Sequence, residues 1–306
     1  MSADLAADTA VRPDPDVAGR FLLTLPTHWD YLMPSGGVAM TAALRAAQAA
    51  LGEPELRFAS ATTIFATPIH SGKQVADVTI LRRGRGSAQI RVAMKDADPP
   101  PPKPRDGSEA GGEENVGLEL TATFLRDRKG PDVIGAAMPA VKSLADSVSV
   151  VDDLPNNPHT RFRIYQQLEC RIADGERFWA PDFTAGPARY ARWLRYKTPQ
   201  RDAEGRFDRL ALLPLIDTMP TALHRAIGPS SYRFYAPSLD LTTYVVDDTQ
   251  REWVLIAAKV RRARAGWAIA DVEVWDDEGK FLAYGAQAMY LHSLSGELPV
   301  IDASTR

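Results

Sequence analysis

An acid stands at Asp217, directly behind the apolar run Leu212-Leu213-Pro214-Leu215-Ile216. A carboxylate in such surroundings needs a partner or a purpose, because burying a charge alone is costly. The chemistry open to it is general-base work on a water, a role worth about 10²–10⁴-fold in rate. Its plainer reading is an acid favoured by the dipole at a helix start, worth about 0.3–1 kcal/mol. Arg82, Arg83 and Arg85 form a second candidate set. Guanidinium forks match phosphate oxygens, yet such clusters also serve as solvated faces, and Arg261, Arg262 and Arg264 repeat this one. The five histidines show no metal-ligand spacing. Cys170 is the lone cysteine, which excludes an internal disulfide and argues against a thiolate metal site.

Composition narrows the class. A net charge of −3 over 306 residues gives no basic surface for nucleic acid. The stretch Met1–Asp16 lacks a basic region followed by an apolar one, and no segment approaches the roughly 20 apolar residues that span a bilayer. The expectation is a soluble cytoplasmic protein with no membrane partner. At this length two domains are the starting assumption.

The elements that must position these residues come in two copies. Shifting Gly37–Asp96 by 180 positions onto Asp217–Asp276 gives 11 identities in 60, among them Thr41/Thr221, Thr62/Thr242, Gly86/Gly266 and Asp96/Asp276. Each copy reads as a helix, Gly37–Leu51 and Asp217–Ile227, with Gly52 and Gly228 as stops. Extended runs follow: Ala61–Phe65, Val75–Leu81 and Ala88–Met94, then Leu239–Val246, Trp253–Val260 and Trp267–Trp275. Their period of two marks a sheet with one buried face, and the helix is the obvious cover for it. That arrangement is a double hotdog, an α+β fold of two repeats, each an antiparallel sheet wrapped around a helix. The predicted boundaries are a tail at 1–19, a first hotdog at 20–130 with a flexible insertion at 97–115, and a linker at 131–160. A second hotdog at 161–292 and a tail at 293–306 complete the chain.

The ordered set His28-Trp29, Pro34-Ser35-Gly36-Gly37, Leu81–Gly86, Leu215-Ile216-Asp217, Ala236–Asp240, Glu252-Trp253, Trp275–Gly279 and Ala286-Gln287 resembles the TesB-like acyl-CoA thioesterases. The resemblance runs across roughly residues 20–292. It implies hydrolysis of acyl-CoA to free CoA and a fatty acid, within fatty acid metabolism, with no cofactor and no metal. It also implies that the family's catalytic acid, hydroxyl and amide fall on Asp217, Ser238 and Gln287. Leu241 stands where some members carry a histidine. Each of the three has an ordinary alternative: a dipole-favoured acid, a turn hydroxyl and a strand amide paired across the sheet.

The carried-over types suit the chemistry. A carboxylate can deprotonate water, and the hydroxyl and amide can fix that water between them. Gly36 and Gly37 open the first helix without side chains, so a substrate can approach its N-terminal amides. Arg82 and Arg85 are assigned to the CoA phosphates. Gly37 and Asp217 are equivalent under the 180-residue shift, and Thr121 lies near the counterpart of Gln287, so one working site per chain is expected. Open sheet edges allow a homo-oligomer. Two other readings remain: a non-catalytic acyl-CoA binder of the same fold, and a hotdog hydratase or dehydratase. The latter would carry a Gly-Asp-x-Asn-Pro type of segment, which this chain lacks.

Overall fold

The computed structural model describes residues 3–99, 116–152, 154, 157–228 and 234–293. The body of the predicted insertion, Pro155-Asn156 of the predicted linker and the tail beyond Ser293 lie outside the described residues.

The strands are β1 (Arg12–Pro13), β2 (Arg20–Leu25), β3 (Arg57–Phe65), β4 (Gly72–Arg83), β5 (Ser87–Asp96), β6 (Leu118–Leu125), β7 (Val148–Ser149), β8 (Leu168–Asp174), β9 (Arg189–Tyr196), β10 (Phe234–Tyr235), β11 (Asp240–Val245), β12 (Val254–Arg264), β13 (Trp267–Asp276), β14 (Phe281–Tyr290) and β15 (His292–Ser293). The helices are α1 (Leu5–Asp8), α2 (Gly36–Leu51), α3 (Pro158–Arg161), α4 (Arg163–Gln166), α5 (Leu213–Ile216) and α6 (Pro220–Ile227).

Among the described residues, thirteen strands form one sheet in the order β1-β2-β4-β5-β6-β3-β11-β14-β13-β12-β9-β8-β7. Alternation decides its faces. In β5, Ala88, Ile90, Val92 and Met94 point to the core while Gln89, Arg91 and Lys95 are exposed. Ala268, Ala270, Val272 and Val274 repeat this in β13. Helix α2 is apolar almost all round and buried along most of its length, as a helix wrapped by a sheet must be. Gly52 ends it in the left-handed conformation, φ +62°.

The two halves join where β3 pairs with β11. Thr62 lies opposite Thr242, their hydroxyls 3.1 Å apart, and the flanking pairs Ile64↔Asp240 and Ser60↔Tyr244 are symmetric about them. The duplication axis therefore passes through this pair, and the double hotdog is one continuous sheet.

The second-half helix departs from expectation. Instead of a continuous Asp217–Ile227, α5 stops at Ile216, Asp217 is its C-cap, and α6 begins at Pro220. Proline has no N–H for the Ile216 carbonyl four residues back, and its ring clashes there, so the helix must break. The predicted linker is also more than a connection. Ala136, Met138, Val141 and Leu144 pack on Trp193, Leu255 and Trp275, covering the other face of the second-half sheet.

Candidate active site

Asp217 sits at the break between α5 and α6 and is 6% exposed. Its Oδ2 accepts from the Ser35 hydroxyl at 2.9 Å and from the Gly37 amide at 2.9 Å. Its Oδ1 accepts from the Ser238 hydroxyl at 2.9 Å. Gln287 Nε2 in turn donates to Ser238 Oγ at 3.1 Å. Residues separated by up to 252 positions in the chain thus form one hydrogen-bonded group.

Each element brings its residue for a local reason. Helices α2 and α5 cross so closely that a Cβ on Gly37 would be driven into the Leu213 carbonyl oxygen. Gly285 of β14 likewise lets Ile216 approach, since a Cβ there would lie 2.5 Å from Ile216 Cγ2. Two bare positions therefore press α5 between helix and sheet and set Asp217 at its end. Ser238 precedes β11 and bridges to Met289, which places it beside Gln287 on β14.

Protonation follows from the donors. Burial raises the Asp217 carboxyl above its ordinary range, while hydrogen bonds from Gly37, Ser35, Ser238 and Gly36 pull the other way. A hydroxyl has one proton. That of Ser238 is committed to Asp217, so Gln287 must face it with its NH₂ group. Among the described residues its Oε1 is buried without a partner, an acceptor open to a donor.

Other sequence candidates land elsewhere. The Gly37 amide is occupied by Asp217 rather than open to a substrate, because the broken helix carries the carboxylate onto the α2 N-terminus. Gly36 is tightly placed as well: a Cβ would meet the Phe65 ring at 2.9 Å and Asp217 Oδ2 at 3.2 Å. Arg82 and Arg85 are exposed at the β4–β5 turn, where Ser87 pairs with Leu125 and Leu125 with Arg57. The site is at the opposite, Phe65 end of β3, about 26 Å away at 3.3 Å per residue, so the structure does not bring these arginines to it. Strand register also moves one assignment by a residue. Ala270 faces Gln287, and its counterpart Ile90 faces Ala122, so Ala122, next to Thr121, is the counterpart of Gln287. Leu241 is wholly buried.

Sequence reasoning missed Ser35 as a site residue. It also missed the buried group beside the site. Arg192, 1% exposed, donates to the Thr218 carbonyl and the Tyr165 hydroxyl, each at 3.3 Å, and Tyr165 packs edge-on against Tyr31. The signal for Arg192 was available, since it is a charge at a core-facing position of β9 between Tyr190 and Leu194. Ser35 gave none, because a serine before a helix normally reads as a cap.

Residues 25–125 match the acyl-CoA thioesterase N-terminal domain, and residues 145–291 match the acyl-CoA thioesterase C-terminal domain. The chain belongs to the acyl-CoA thioesterase family. It is a TesB-like double hotdog, and solved structures agree on the fold. A hot dog fold protein from Alicyclobacillus acidocaldarius has a TM-score of 0.73 at 20% identity, covering 98% of this chain and 100% of that one. The acyl-CoA thioesterase II TesB2 of Mycobacterium marinum has a TM-score of 0.70 at 16% identity, covering 96% and 100%. The tesB protein of Mycobacterium avium subs paratuberculosis gives 0.67 at 18%, covering 94% and 98%. At these identities the likeness speaks for the fold alone. No curated protein matches the chain by sequence. Among the described residues, no helix of this thioesterase-family chain is long and apolar enough to cross a membrane.

Proposed function

We propose that this chain hydrolyses acyl-CoA to free CoA and a fatty acid, with water activated by Asp217, Ser238 and Gln287. The observation that carries the reading is the convergence of a buried acid, a hydroxyl and an amide whose Oε1 has no partner among the described residues. A water seated there donates one hydrogen to Asp217 Oδ1 and the other to Gln287 Oε1, which turns a lone pair outward. That lone pair attacks the thioester carbonyl carbon while Asp217 takes the proton. The tetrahedral intermediate collapses with cleavage of the C–S bond, and the proton passes to the departing CoA sulfur. Exposed apolar side chains flank the group, with Leu32 and Met33 just before Ser35 and Leu239 next to Ser238. Such a lip suits an acyl chain.

The test is free-thiol release from short, medium and long acyl-CoAs. The wild-type chain releases CoA, and Asp217→Asn lowers kcat by about 10²-fold or more while still folding. Asparagine can accept from Ser35 and Gly37 with its oxygen and donate to Ser238 with its amide. An unchanged rate in Asp217→Asn removes this residue as the base, and thioester binding without turnover in the wild type removes the hydrolase reading.

A further inference from the structure

Asp217 receives its donors unevenly, and the two sides come from different halves of the molecule. Among the described residues Oδ2 takes the Ser35 hydroxyl and the Gly37 amide, with the Gly36 amide a further first-half donor to the carboxylate, whereas the donor to Oδ1 is Ser238, from the second. A carboxylate oxygen has two lone-pair directions, so Oδ2 is filled and Oδ1 keeps one free. Ser238, the donor to Oδ1, is also the residue that Gln287 Nε2 contacts, and among the described residues Gln287 Oε1 is buried without a partner.

Ser35 is placed for something other than its usual work. It is the N-cap of α2, yet its side chain makes no capping hydrogen bond, although serine is favoured there for that bond. The amide such a cap would take, that of Gly37, is instead capped from the other half by Asp217 Oδ2. The Ser35 hydroxyl, 2% exposed, is turned to the same oxygen.

We propose that Ser35 is a positioning residue for the second half's base: by filling Oδ2 it commits Asp217 to take the proton through Oδ1, facing the water held by Gln287. The inference rests on the hydrolase reading given above. It makes the active site a joint product of both halves, since the first supplies the clamp and the second the acid, hydroxyl and amide.

Removing the hydroxyl opens one direction on Oδ2 and leaves backbone amides as its first-half donors, so the carboxylate is held less firmly, and a misplaced catalytic group loses about tenfold to a hundredfold in rate. Ser35→Ala therefore lowers kcat by that amount and leaves KM, and affinity for a non-hydrolysable acyl-CoA thioether, unchanged. In an Asp217→Asn background the same substitution costs nothing further, because the side chain it positions no longer acts as base. The proposal is overturned if Ser35→Ala keeps the wild-type kcat while Asp217→Asn is inactive, or if its effect lies in KM. Retained activity in Asp217→Asn would instead sink the hydrolase reading beneath it.

Discussion

At Asp217 two opposed effects meet. Burial disfavours the charged carboxylate, and donors from Gly37, Ser35, Ser238 and Gly36 favour it, with burial the larger. In the proposed role Asp217 works only when ionised, so kcat/KM should fall on the acid side with a midpoint above the about 3.9 of an unperturbed aspartate. A midpoint at or below that value would mean the donors dominate, or that another group titrates. The same raised value bears on stability with a definite sign. A carboxyl that ionises less readily in the fold than in the unfolded chain weakens the fold as pH rises through its folded value. Asp217→Asn escapes that loss. Its melting temperature at neutral pH should therefore be no lower than wild type, a contrast with its lost activity that marks a functional rather than a structural acid.

The elements were legible to the extent that their cause was local. Alternation in Ile90-Arg91-Val92 and Val272-Glu273-Val274 located β5 and β13, and the turn Asp276-Asp277-Glu278-Gly279 closes as expected, with Asp276 Oδ1 accepting the Glu278 and Lys280 amides. The duplication was readable because Thr62 and Thr242 kept their places in equivalent strands. What could not be read depended on contacts between distant segments. Pro220 did announce a break, but the register of Asp217 against Gly37 follows from the crossing of α2 and α5, which no local pattern encodes. The distance of Arg82 and Arg85 from Asp217 could not be read for the same reason, since spacing does not tell which end of a strand meets the site. Two glycines make the crossing possible, and Gly37 tests it. In Gly37→Ala the new Cβ meets backbone at the Leu213 carbonyl, which cannot swing aside as a side chain would. The helices must part, at a cost of about 1–3 kcal/mol for overpacking. Activity should drop as Asp217 retreats with α5. Circular dichroism melts together with thiol release check this, and a variant with wild-type stability and rate would show that the crossing has slack.

Across the whole molecule the pseudo-symmetry produces one polar site and one filled one. The counterparts of Ser238 and Gln287 are Phe58 and Ala122, and Phe58 packs edge-on against Phe124 at 5.9 Å. The acid's counterpart is Gly37, so acid, hydroxyl and amide are all missing there, in keeping with a single working site per chain. In their place the halves are tied by charge. Asp248 is bridged by Arg57 of the first half and by Arg209 of the second, whose Nη1 also donates to the Phe58 carbonyl at 2.9 Å. Burial raises the Asp248 carboxyl, but the two guanidinium groups outweigh it and hold the carboxyl well below the usual range. A depressed value adds stability that is present above the unfolded carboxylate range and is lost as pH falls toward the folded one. Asp248→Asn removes the carboxylate shared by two partly buried guanidinium groups, leaving Arg57 with the exposed Asp127 and Arg209 with the Phe58 carbonyl. A wholly buried pair broken in this way costs 3–5 kcal/mol, and about 2–3 kcal/mol is expected here because the Asp248 side chain is 20% exposed. Urea denaturation at pH 7 should show that loss, and the gap between variant and wild type should narrow as pH is lowered, because protonation removes the same charge from the wild type. A gap independent of pH would mean that packing at the joint, rather than the arginine–aspartate–arginine tie, holds the two halves together there.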